Sequence, residues 1–161
     1  MGVNAMELAY GLNKSVSITS AVGIGLIRNQ FHSGNIMTNV DGKTTMRTEE
    51  GKEVKKSYLD YVALRIPVMA EWTKPIKRND IYAAIGLSLE MRGIIRSRYK
   101  IGDKTRTETD DLNCHKFGLN LELFAGYANI MIYGRASLTP LMNTSSAPRC
   151  YPLLIGIGIR I

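Results

Sequence analysis

Cysteine is scarce in this sequence: Cys114 and Cys150 are the only two in 161 residues. That excludes a scaffold held by many disulfides and any self-contained four-cysteine metal site. Histidine is equally sparse. His32 and His115 stand in no recognisable Ser/His/acid spacing, and Gly156-Ile157-Gly158 precedes no helix that would make it a nucleotide loop. No catalytic residues, metal ligands or cofactor are therefore assigned, and the chain is not read as an enzyme. Long apolar runs are missing as well. None approaches the roughly 18 consecutive apolar residues that a spanning helix needs. The opening MGVNAMELAYGL carries neither a basic n-region nor an apolar h-region, so no signal peptide is visible. Helix-period patterns are weak throughout.

What is present is ordinary in bulk and unusual in arrangement. Charged residues make up 22% and apolar ones 45%, which excludes disorder along the whole chain. The net charge of +7 raises nucleic acid as a partner. The basic residues are dispersed, mostly beside Asp or Glu, and no recognition-helix or zinc-finger spacing goes with them, so nucleic acid is not expected. The length fits a single domain, 1–161.

Apolar residues recur at period two, and Gly, Asn, Asp and Pro cut the chain into segments. Seven strands are expected: 3–12, 16–28, 61–72, 81–94, 117–127, 130–142 and 151–161. Short breaks alternate with long polar ones at 29–60, 95–116 and 143–150. Asp41-Gly42 predicts a small hairpin inside the first long segment. One end with short turns and one with long loops is the asymmetry of an outer-membrane barrel.

The sorting within strands is more telling, because successive side chains point to opposite faces. In 81–92, Ile81, Ala83, Ile85, Leu87, Leu89 and Met91 oppose Tyr82, Ala84, Gly86, Ser88, Glu90 and Arg92. In 151–161, Tyr151, Leu153, Ile155, Ile157, Ile159 and Ile161 oppose Pro152, Leu154, Gly156, Gly158 and Arg160. The other strands agree. One face is large and uncharged. The other is small, and it carries Glu7, Glu71, Glu90 and Glu122 with Arg65, Arg92, Arg135 and Arg160. The bulky face would overfill the lumen of a small barrel. It is therefore placed outward, in lipid, with the small and charged face inward. The fold expected is all-β: a small antiparallel up-and-down transmembrane β-barrel.

Three stretches carry a family likeness. Leu64-Arg65-Ile66-Pro67-Val68-Met69, Arg135-Ala136-Ser137-Leu138-Thr139-Pro140-Leu141 and Leu154-Ile155-Gly156-Ile157-Gly158-Ile159-Arg160-Ile161 resemble strands of the Bacteroidetes outer-membrane β-barrel family, the PorT-like group of small eight-stranded barrels. Four positions depart from its pattern: Leu64, Arg65, Ala136 and Ile161. The resemblance implies an outer-membrane location in the cell envelope and little about activity.

The resulting expectation is a membrane protein with a plugged polar lumen, exposed external loops and a structural or surface-interaction role. The eight lumenal charges are expected to pair with one another. Tyr10, Trp72 and Tyr127 at one end, and Phe117 and Tyr151 at the other, are the expected aromatic girdle. Membrane lipid or lipopolysaccharide would surround the barrel, and an envelope protein could meet the loops. Two other readings fit the pattern: a soluble lipocalin-like barrel binding a small apolar ligand, and a barrel subunit of an envelope or secretion assembly. Cys114 and Cys150 fall on the same, external side and form a candidate disulfide. Finally, bacterial single-chain barrels have even strand number. Seven visible strands predict eight in the complete protein, with a signal peptide and one further strand before Met1.

Overall fold

The computed structural model describes residues 2–31, 35–41, 43–48, 54–101, 104–109, 112–142 and 149–159. Among them every regular element is a strand: β1 (Gly2–Gly11), β2 (Val16–Phe31), β3 (Asn35–Val40), β4 (Lys43–Thr48), β5 (Val54–Ile76), β6 (Asn79–Ile101), β7 (Lys104–Thr109), β8 (Phe117–Tyr127), β9 (Ile130–Ser137) and β10 (Leu153–Ile159). Seven of them form an antiparallel meander in the order β1-β2-β5-β6-β8-β9-β10, curled into an open half-barrel. β7 pairs only with the far end of β6, and β3 with β4 forms a separate two-stranded sheet.

The seven expected strands are thus the seven strands of the meander, with corrected ends. β5 and β6 are each 23 residues long. The expected break at Thr73–Asp80 shrinks to Lys77-Arg78, where Lys77 takes the positive φ of 56° that a tight hairpin turn requires. β9 stops at Ser137 and not at 142, because Pro140 cannot donate to a ladder. The segment 95–116 is not all loop. Its first residues extend β6, and 104–109 folds back on it as β7. The hairpin at Asp41-Gly42 is present, with Asp41 at φ 52°.

Pro67 lies within β5, a central strand, where a missing N–H would normally weaken the sheet. The β2–β5 pairing lapses there, between Ser20–Val68 and Gly23–Arg65, and the Ser20 hydroxyl donates to the Pro67 carbonyl at 2.9 Å, which satisfies that acceptor without replacing the missing N–H.

One irregularity governs the upper half of the wall. The β5–β6 register shifts between Asp60 and Val62 on β5, opposite Gly93 to Arg96 on β6. Ile94 sits there at φ 50°. One extra residue on β6 reverses its alternation. Even-numbered side chains point inward up to Arg92, and odd-numbered ones from Ile95 onward.

β1 and β10 each pair with one neighbour among the described residues, so the sheet has two edges. As first and last strands of a seven-strand meander, they run in the same direction. The 35–48 region does not fill the gap, because its strands pair with each other.

Candidate functional site

The interior is built by pairing large inward side chains with glycine on the next strand. Tyr82 faces Gly126, Tyr133 faces Gly156, and Met131 faces Gly158. A Cβ at any of these glycines would collide with the ring or thioether opposite. Gly118 does the same for Arg92, whose guanidinium lies where a Cβ would be. The inward face is small so that the large groups it holds can lie across it.

Those groups form two charge clusters. Glu90 lies at the centre of the first, 1% exposed. Arg92 Nε donates to one of its carboxylate oxygens at 2.7 Å, and Arg135 Nη1 donates to the other at 3.0 Å. The Tyr61 hydroxyl adds a third donor at 3.3 Å. Arg92 also reaches Ser137 Oγ at 3.5 Å, and its guanidinium lies over the Tyr61 ring at 5.9 Å. In the second cluster, Ser88 Oγ donates to Glu122 at 2.5 Å, and Arg65 lies 3.6 Å from the same carboxylate oxygen. Asn120 Nδ2 donates to Ser88 at 3.4 Å. Each charge in these two clusters has an opposite charge beside it, which offsets the several kcal/mol that desolvating an ion costs.

Of the eight expected lumenal charges, five meet in these clusters: Arg65, Glu90, Arg92, Glu122 and Arg135. Glu71 is buried lower in the wall, where Thr73 Oγ1 donates to it at 3.3 Å. Glu7 does not join a buried network. It lies on the edge strand, exposed, and takes a hydrogen bond from Asn4 at 3.1 Å. Arg160 lies outside the described residues. The sequence reading missed Tyr61, Ser88, Asn120 and Ser137 as partners. Their inward parity was visible, but neutral side chains give no signal that they will meet an ion.

The expected girdle residues all stand on the outward face. Tyr10, Trp72 and Tyr127 lie near the short turns, and Phe117 and Tyr151 near the long-loop end, each more than two-fifths exposed. Between them the described apolar residues of the outward face are exposed. Leu87, Leu123 and Ile132 are each more than two-fifths exposed, and Ile157 is 77% exposed.

Above the charge clusters, the long-loop end is closed by an apolar plug. Met37 from the small hairpin packs with Leu59, Tyr61 and Ala63 of β5 and with Leu112, Cys114, Leu141 and Met142. Beside it, Ile36 packs on Tyr99 and Ile101. The hairpin is also tied by Thr44, whose hydroxyl accepts the Asn113 backbone N–H at 3.0 Å. The pattern of 29–60 revealed the hairpin but not that it folds inward.

Cys114 and Cys150 do meet the same cluster, yet they are free thiols, and the candidate disulfide is not formed. The Cys114 thiol instead points to Met142 Sδ at 3.5 Å. Burial pushes its pKa up to about 11 and raises that of Cys150 as well.

Compared with known proteins, the chain matches no family model, no curated protein and no solved structure.

Proposed function

We propose that this chain is a small outer-membrane β-barrel protein of a diderm bacterium, with a plugged polar lumen and a structural or surface-interaction role. The observation that carries the reading is an exchange of polarity between the two faces of one wall. Below the Ile94 bulge, the outward face of β2, β5 and β6 is Ile18, Val22, Leu26, Val62, Val68, Trp72, Ile85, Leu87 and Met91, while Ser88, Glu90 and Arg92 are buried inside. Above it, the outward face is Arg28, Lys56, Tyr58, Asp60, Arg96, Arg98 and Lys100, while Leu59, Tyr61 and Tyr99 are buried inside. A protein surrounded by water alone has no reason to invert its faces halfway along the same strands. A wall that rises out of hydrocarbon into water does.

The dimensions agree. Val62 and Trp72 are ten residues apart on β5. That is about 33 Å along the strand, or about 25 Å of height at the usual tilt, which is the thickness of a barrel's apolar band. The accessible surface of 10649 Å² exceeds the roughly 8,000 Å² of a compact chain this size. The resemblance to the PorT-like small barrels belongs to the same proposal.

The edges that β1 and β10 leave open among the described residues favour one secondary reading, a barrel wall completed within a larger envelope assembly. Unsatisfied strand edges in lipid cost several kcal/mol per group, so the sheet must close. Expression behind an export signal in a diderm host, followed by membrane fractionation, tests the main reading. The expected result is an outer-membrane protein released only by detergent and running as a heat-modifiable band. A stable, detergent-free monomer in the periplasm would overturn it. Co-purification of one stoichiometric protein partner would select the assembly reading.

A further inference from the structure

The rows above the bulge form a basic collar that rests on the proposal of a membrane-spanning wall. Antiparallel register sets its layout. Arg28 on β2 stands beside Asp60 on β5, and Asp60 beside Arg96 on β6. The next row is Gln30, Tyr58 and Arg98, and above it Lys56 pairs with Lys100. All of these side chains share the face that carries Leu26 and Val62 one row below. In these rows of β2, β5 and β6, the described outward cations are Arg28, Lys56, Arg96, Arg98 and Lys100, and the carboxylate among them is Asp60.

That carboxylate positions cations and does not cancel them. Arg28 donates to Asp60 through Nε at 2.7 Å and Nη2 at 2.9 Å, and Arg98 Nη1 approaches the same carboxylate at 3.4 Å. The Arg28 guanidinium also lies 5.1 Å from the Tyr58 ring centre. Arg28 and Arg98 are thus held in fixed positions with donors to spare, since each guanidinium has five N–H groups. Lys56 and Arg96 are exposed beside them. The inner face at this height is closed by the apolar plug, so a ligand of the collar approaches from outside the wall.

Height selects the ligand. Asp60 is two residues above Val62, and Lys56 six. At about 3.3 Å per residue and the usual tilt, the collar rises from about 5 to about 15 Å above the apolar band, so that Arg28, Arg96 and Arg98 lie at the height of lipid headgroups and Lys56 and Lys100 just above them. Guanidinium groups held as a fan match phosphate oxygens with paired donors, as bare point charges would not.

We infer that the outward collar of Arg28, Lys56, Arg96, Arg98 and Lys100 binds the phosphates of a phosphorylated glycolipid of the lipid A type in the leaflet around the long-loop end. The acyl chains of such a lipid would lie along Leu26, Val62 and the apolar rows below, so one molecule engages both the collar and the belt.

The test uses the whole chain, extracted from a diderm outer membrane in neutral detergent and stripped of lipid. It is titrated with diphosphoryl lipid A, with the same lipid after removal of its phosphates, and with phosphatidylglycerol. Diphosphoryl lipid A is expected to bind at least tenfold more tightly than either of the others. Lys56→Gln/Arg96→Gln/Arg98→Gln should abolish that preference. A control pair at the opposite end of the wall, Lys74→Gln/Arg78→Gln, should retain it. Equal affinity for the dephosphorylated lipid overturns the inference. So does equal affinity for phosphatidylglycerol, which would make the collar a general anionic surface, and so does an equal loss in the control pair. The heat-modifiable band and the outer-membrane fraction are scored separately. A chain that inserts normally but shows no preference refutes the collar alone, and a chain that never inserts refutes the membrane reading with it.

Discussion

Arg92 Nε lies 2.7 Å from Glu90 Oε1, and both side chains are sealed from solvent. Arg135 holds the other oxygen of the same carboxylate. One buried anion thus serves two cations, and the cluster is most fragile at the anion. Glu90→Ala should cost about 3–5 kcal/mol, because it strands two guanidinium groups in the interior. Glu90→Gln keeps the shape and one acceptor oxygen and should cost less. Denaturant titration of the heat-modifiable form measures both. In a double-mutant cycle with Arg135→Met, the two losses should fall well short of adding.

The outward face gives a depth-dependent prediction. Leu87 stands mid-height and Tyr127 at the rim, and both are exposed. In a bilayer, Leu87→Arg should destabilise by about 2–4 kcal/mol and Tyr127→Arg by about 0–1 kcal/mol. In water the two exposed sites would give equal, small effects. Unfolding titrations in lipid vesicles distinguish these outcomes.

Glycine substitutions separate close approach from spare room. A Cβ on inward-facing Gly86 would collide with the Val68 carbonyl oxygen and the Met69 Cα, backbone atoms that cannot swing aside. Gly86→Ala should therefore cost about 1–3 kcal/mol through overpacking. A Cβ on Gly134 would meet only Leu123 side-chain atoms at an ordinary 3.6 Å. Gly134→Ala should be neutral or stabilising by up to about 1 kcal/mol, since glycine is costly within a strand. Thermal melts of the two variants should move in opposite directions or differ clearly in size.

The buried thiol sets a pH limit on the plug. Cys114 has its pKa raised from 9.0 to about 11 by burial. The folded form therefore keeps the proton longer than the unfolded form does. Its contribution is complete below pH 9 and falls as the pH rises toward 11, by about 2 kcal/mol over that window. Cys114→Ser should flatten this alkaline decline. At neutral pH, both cysteines should react slowly with an alkylating reagent and become reactive when the protein is denatured, without prior reduction. A bridge between them would leave them unreactive until reductant is added.

Thr44 tests the hairpin plug. Its hydroxyl accepts the Asn113 N–H in a buried setting. Thr44→Val keeps the shape and orphans that donor, at about 1–3 kcal/mol. Limited proteolysis within the long-loop end should accelerate while the strand core stays resistant.

The sequence alone determined the seven strands of the meander, their order and, below the bulge, the side of the sheet on which their residues stand. These follow from local alternation, because a strand has only two faces and each residue's parity is inherited from its neighbour. Ile85 with Leu87 and Ser88 with Glu90 were separable on that ground alone. Tertiary structure decided what parity cannot carry. The bulge at Ile94 reversed the alternation of β6, and no residue type announces such a change. Glu90 has Arg92 two residues along on the same face of β6, but it gained Arg135 because the curved sheet brings β9 over β6, whereas Glu7, also an inward-parity glutamate, was left at an edge. The hairpin at 35–48 was legible as a hairpin, but its inward fold depended on Met37 finding Leu59 and Leu141. Period and polarity act between neighbours in the chain. Ion pairs, plugs and closed edges act between residues that only the folded wall brings together.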